Sequence, residues 1–75
     1  MERAKPTLAE KRRASGLTQS VMAYRIGREL TTYRNWETGR YLPTVLDAEN
    51  VCRALGCSLD DIDWTRDYYD KHPQA

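Results

Sequence analysis

The side chains best equipped for covalent chemistry here are Cys52, Cys57 and His72, and their spacing supports little of it. Two cysteines are too few for a disulfide framework, and no second pair completes a metal site. Both read as small core residues, since free cysteine is among the most buried residue types. His72 precedes Pro73 in a tail expected to fray, where a general base would be poorly held. No enzyme, metal or cofactor is expected. A different chemistry is offered by GRELTTYRNWETG, residues 27–39, which sets Leu30, Thr31, Arg34 and Asn35 along one side of a short helix and Tyr33 and Trp36 along another. The outer side carries side chains that can both donate and accept hydrogen bonds.

The elements that must position this helix are punctuated clearly. Thr7 with Glu10 forms a capping-box pattern opening a first helix, from about Leu8 to Ser15, which Gly16 stops. Thr18 caps a second, Gln19 to Ile26, with Met22, Ala23 and Ile26 on one face. Gly27 ends it, and a third helix runs from Glu29 or Leu30 to Glu37, closed by Gly39. Pro43 and Thr44 introduce a fourth, Val45 to Leu55, stopped by Gly56, and Ser58 with Asp61 opens a fifth from about Leu59. No alternating strand pattern of useful length appears. The expectation is one all-α domain over residues 1–75, a compact bundle of five short helices.

The chain has 75 residues, so folding buries only about 60% of its unfolded surface and the core must pack helix on helix. The opening MERAKPTLAEKRRA is charged throughout, unlike a secretory signal, and no apolar run approaches the roughly 20 residues that span a bilayer. A cytoplasmic protein without membrane contact is expected. Net charge is +1 but unevenly divided: residues 1–45 hold nine Lys or Arg against four Glu, net +5, and residues 46–75 three against seven acids, net −4. A polyanionic partner would meet the first half.

Only Gly27, Arg28 and Glu29 separate the second and third helices, and so short a turn forces a steep crossing with Ala23 where the approach is closest. Tyr33 and Trp36 then face the core. The outer face, on a basic half-domain, suits the major groove.

At this point GLTQSVMAYRIGRELTTYRNWETGRYLPT resembles the Xre/Cro type of helix-turn-helix, the lambda-repressor-like DNA-binding domain. Gly16-Leu17-Thr18-Gln19, Ala23, Gly27, Trp36-Glu37, Gly39 and Pro43 fall in the expected register without gaps, Arg12 stands four residues before Gly16, and ALGCSLDDI (54–62) resembles the family's fourth-to-fifth helix junction. The resemblance covers about residues 7–63 and implies a helix-turn-helix of helices two and three. It implies that Leu30, Thr31, Arg34 and Asn35 face base edges, with Arg34 suited to guanine O6 and N7 and Asn35 to adenine or a phosphate. Gln19 would bond a phosphate at a helix N-terminus, and Arg40, Tyr41 and Thr44 would hold the phosphate backbone. Arg12 and Glu37 would form an internal ion pair tying helix one to helix three.

The chain also departs from the family. Glu29 stands where Ser or Thr commonly caps helix three, Arg28 replaces a usual aliphatic anchor, and Lys11 occupies a position that is often apolar. Leu30 would touch a thymine methyl or fold inward to replace the anchor. In the tail, 64–75, Trp64 and Tyr68 are four apart and would share a helix face, packed on the domain or forming a two-fold dimer contact on a palindromic operator.

The reading of the whole is a small sequence-specific regulator of bacterial or phage type, most simply a repressor that occupies an operator. With no effector domain after the reading head, regulation is expected from concentration, dimerisation or a partner. The alternative is a protein-interaction module on the same fold, an antitoxin-like or anti-repressor partner, favoured by Leu30, Glu29 and the acidic aromatic tail and opposed by Gln19, Arg34 and Arg40.

Overall fold

Threonine side chains start the first, second and fourth helices where the sequence places them. The computed structural model describes residues 4–73, comprising α1 (Leu8–Ala14), α2 (Gln19–Ile26), α3 (Leu30–Glu37), α4 (Val45–Leu55), one 3-10 turn over Leu59–Asp61, and α5 (Arg66–Lys71). At α1 the box is reciprocal: Glu10 N–H donates to Thr7 Oγ1 at 3.3 Å, and Thr7 N–H donates to Glu10 Oε1 at 2.8 Å. Thr18 and Thr44 accept from the N–H groups of Val21 and Asp47 at 3.1 Å each. Each satisfies one backbone donor that the first turn leaves open, worth about 1 kcal/mol. Gly27 and Gly56 end α2 and α4 in the left-handed conformation, both at φ 69°, which an L side chain adopts only at a cost.

The fifth helix does not begin at Leu59, which corrects the expectation. Ser58 and Asp61 do form a box, with Ser58 N–H donating to Asp61 Oδ2 at 2.9 Å, but it opens only the 3-10 turn. Ile62 then turns extended (φ −124°, ψ 137°) and is buried, and Asp63 N–H donates to the Pro6 carbonyl at 2.8 Å, forming an isolated parallel bridge between Thr7 and Asp63. A continuous helix would forfeit both the burial of Ile62 and that bond. The chain resumes helix because Asp63 Oδ1 accepts from the N–H groups of Thr65 and Arg66, at 3.2 and 3.1 Å. Trp64 therefore lies outside α5 and shares no helix face with Tyr68. It is half-buried against the core, its indole N–H donating to the Leu59 carbonyl at 3.0 Å.

One core joins α1 to α4 and the segment beyond. Leu8, Met22, Ala23, Tyr33, Trp36, Val51, Cys52 and Ile62 are its buried members, with Leu17, Ile26, Leu30, Ala54, Leu55, Cys57 and Trp64 packed against it. Met22, Tyr33 and Val51 are fully enclosed, and burial of each such side chain contributes about 1.5–3 kcal/mol. Tyr33 meets Trp36 edge to face, centroids 6.1 Å apart. Both cysteines are free thiols within this packing, and burial, foremost, raises the Cys52 thiol to about 12. Val21 and Tyr24 lie on the outer side of α2, Tyr24 largely in solvent. Among the described residues no helix is long and apolar enough to cross a membrane.

Through its described part the tail is helical and docked on the domain. Gly39 (φ 80°) is buried beneath the start of α5, where a Cβ would collide with the Asp67 carbonyl group and the Tyr68 nitrogen. The His72 ring stacks on Tyr68 with centroids 4.2 Å apart. Arg66 reaches back to the Lys5 carbonyl and the Glu10 carboxylate. Gln74 and Ala75 of the expected tail lie outside the described residues.

Candidate nucleic-acid interface

The inner end of the site is an ion pair between α1 and α3. Arg12 Nε donates to Glu37 Oε2 at 2.6 Å and Nη2 to Oε1 at 3.2 Å, while Nη1 donates to the Leu17 carbonyl at 2.8 Å. Both side chains are nearly enclosed, exposed by 10% and 3%, so the fork is held in one orientation. Burial alone would raise the Glu37 pKa, but hydrogen bonds from Arg12 and Gln19 outweigh it and leave it below the ordinary carboxylate value. The bond to Glu37 likewise raises that of Arg12. The Tyr33 hydroxyl, close by, has no hydrogen-bond partner among the described residues, and burial raises its pKa.

From this pair a chain of side-chain bonds runs outward. Gln19 Nε2 donates to Glu37 Oε1 at 2.9 Å, and Gln19 Oε1 accepts from Arg34 Nε at 3.2 Å. The Gln19 amide is thereby oriented at both ends, with one N–H still free to donate outward. Arg34 and Thr31 are exposed on α3, and Asn35 is half-buried beside them. Leu30 differs: it is half-buried and packs against the core instead of standing out with Thr31 and Arg34. Its inward packing accompanies the departure at Arg28, whose guanidinium leaves the turn to bond Asp47 on α4, Nε at 3.0 Å and Nη2 at 2.7 Å. The anchoring expected of one aliphatic residue is divided between Leu30 and an ion pair. Glu29 is the α3 N-cap residue and forms no side-chain cap bond, though its charge sits at the favourable, positive end of the helix dipole.

Beyond α3 the chain turns through Arg40, Tyr41 and Thr44, all exposed. The Asn35 carbonyl accepts from both Arg40 N–H (2.9 Å) and Tyr41 N–H (3.3 Å), which fixes the start of the loop to the end of α3. The Arg40 guanidinium lies 5.7 Å from the Tyr41 ring centroid, a cation–π arrangement. Thr44 keeps its hydroxyl proton available while its oxygen caps α4.

The sequence pattern carries no signal for the Gln19 bridge or the Arg28–Asp47 pair. The pair joins residues 19 apart across two elements, and no local pattern signals it. Among the described residues no group of three or more His, Cys, Asp or Glu is placed to hold a metal ion.

The all-α fold presents a short polar helix, α3, beside a loop that carries the exposed Arg40. The family model described as "Helix-turn-helix domain" matches residues 7–65, and the chain belongs to that family, in its Xre/Cro-like form, a family of DNA-binding domains and not of enzymes. The chain is similar to the cryptic phage CTXphi transcriptional repressor RstR of Vibrio cholerae, 40% identical over 58 residues covering 77% of this chain. That stretch spans only about half of RstR, 52% of its length. It is also similar to an uncharacterized HTH-type transcriptional regulator of Methanothermobacter thermautotrophicus, 41% identical over 49 residues, covering 65% of this chain and 71% of that protein. No solved structure matches the chain.

Proposed function

We propose that the protein is a small transcriptional regulator, most simply a repressor, that binds double-stranded DNA through a lambda-repressor-like helix-turn-helix formed by α2 and α3. The observation that carries this reading is the bonded chain from the buried Arg12–Glu37 pair through Gln19 to exposed Arg34, which orients a guanidinium on the outer face of α3 before any ligand arrives. A preoriented guanidinium fits the paired acceptors O6 and N7 of guanine. Thr31 and Asn35 flank it as further base contacts. Leu30, with part of its side chain outside, gives mainly anchorage and at most a methyl contact. Gln19, Arg40, Tyr41 and Thr44 engage phosphates and set the docking angle. Repressor and regulator names among the relatives support the same reading. The protein would act at the chromosome in the cytoplasm.

Dimerisation belongs to this proposal, through the C-terminal helix and tail and the apolar face beside them. Tyr69 is exposed on α5, and Leu42, Val45 and Leu59 are exposed around a shallow apolar cavity of about 230 Å³ that Trp64 also lines. On a palindromic operator two copies would need their α3 helices about 34 Å apart on one side of the duplex. The same patch is what favours the alternative, a protein-interaction module. A salt titration separates the two readings: phosphate neutralisation gives a log–log slope of about −0.9 per contact, and affinity for a duplex that does not respond to salt would contradict the DNA reading.

A further inference from the structure

We propose that His72 is a positioning residue for the Arg40–Tyr41 loop, so that α5 acts as a strut fixing where the phosphate-contacting arginine starts. The role rests on the DNA-binding reading of Arg40. Three observations converge on it. Gly39, the residue before Arg40, lies directly beneath the α5 backbone with no room for a Cβ. His72 Nε2 lies 3.2 Å from the Arg40 carbonyl and donates to it. The imidazole is held for that bond by its stack on Tyr68, 4.2 Å between centroids and 25° between planes.

The Arg40 backbone is thus held from both sides. Its N–H donates to the Asn35 carbonyl on α3, and its carbonyl accepts from His72 on α5. A long flexible side chain contacts a phosphate productively only if its stem begins in the right place, and a backbone ordered in advance loses less entropy on docking. Asn35 holds the Arg40 N–H at 2.9 Å but the next peptide unit only by a longer bond, 3.3 Å, from the Tyr41 N–H. His72 supplies the second tether, and Tyr68 with Gly39 fixes the height of α5 above the loop. The acidic, aromatic tail, otherwise without a part in DNA contact, thereby acquires one through the backbone of the loop and not through its own charge.

The test compares full-length wild-type protein with His72→Ala, His72→Gln, Arg40→Ala and the His72→Ala/Arg40→Ala double variant in binding to a cognate duplex and to a random-sequence duplex. Loss of one net hydrogen bond corresponds to a weakening of about three- to tenfold. His72→Ala should show that weakening equally on both duplexes, and His72→Gln, whose amide can donate to the same carbonyl, should recover most of it. In the double variant the His72 effect should vanish, because it acts through Arg40. In the free protein, hydrogen exchange at the Arg40 and Tyr41 amides should quicken in His72→Ala and not in His72→Gln. Wild-type binding with effects that add in the double variant, or with unchanged exchange at those amides, overturns the positioning role alone. Folded wild-type protein that binds neither duplex overturns the DNA reading and the role with it.

Discussion

Glu37 lies at the C-terminal end of α3, where the helix dipole disfavours an anion, and it is almost fully enclosed. It is tolerated because Arg12 and Gln19 satisfy its oxygens, so breaking the pair leaves an uncompensated buried charge. Glu37→Gln should lower stability by about 3 kcal/mol in urea unfolding, and a change under 1 kcal/mol would show the pair to be dispensable. Because its folded pKa lies below the ordinary carboxylate value of about 4.5, the unfolded chain takes up the proton first as pH falls. The stabilisation is therefore present above about pH 4.5 and is lost as pH drops through the lower folded value, and this loss should be shallower in Glu37→Gln. At the exposed end of the same chain, Arg34→Ala should weaken cognate binding by about 1–3 kcal/mol and relax preference at one base pair. Arg40→Ala should weaken all sequences alike, and a loss confined to one base pair would contradict its phosphate role.

At the scale of elements, Trp36 fixes α3 to the rest. Trp36→Ala should cost about 3–5 kcal/mol, enough to unfold so small a domain, and an unaltered melting curve would contradict its place in the core. The extents of α2 and α4 were legible in the sequence because each carries its own start and stop: Thr18 and Gly27 for one, Thr44 and Gly56 for the other. Such signals act within a few residues and need no knowledge of the fold. The segment after α4 was not legible for the opposite reason. Ser58 and Asp61 satisfy a local rule, but Ile62 is drawn into the core and Asp63 to the Pro6 carbonyl, partners far off in sequence. The same holds in the site: the polar face of α3 follows from helical spacing, whereas the Gln19 bridge and the Arg28–Asp47 pair exist only once α2, α3 and α4 are assembled. Leu30 is the intermediate case, its inward turn becoming intelligible only when Arg28 is seen to leave the turn for α4.

For the molecule as a whole, folding changes what the bipolar charge means. Two cations of the basic half are committed internally, Arg12 to Glu37 and Arg28 to Asp47, which leaves Arg34 and Arg40 as the charges presented by α3 and the loop after it. Gln19, Tyr41 and Thr44 are neutral and release no counterions. The salt dependence of binding should therefore be shallow, with a log–log slope between about −1 and −2 per domain, doubled when two copies bind together. Val45→Asp, placing a charge on the exposed apolar face, should abolish the doubling while leaving the monomer folded. A doubled slope retained in that variant would move the contact between copies elsewhere. The most direct measurement of the central claim, that α3 reads base edges, is selection from a random double-stranded oligonucleotide pool near physiological salt, run in parallel with wild type and Arg34→Ala. The account predicts a recurring half-site with wild type, repeated about one helical turn away, and the same half-site relaxed at a single position with Arg34→Ala. No enrichment from folded wild-type protein, or an identical half-site from both, would contradict it.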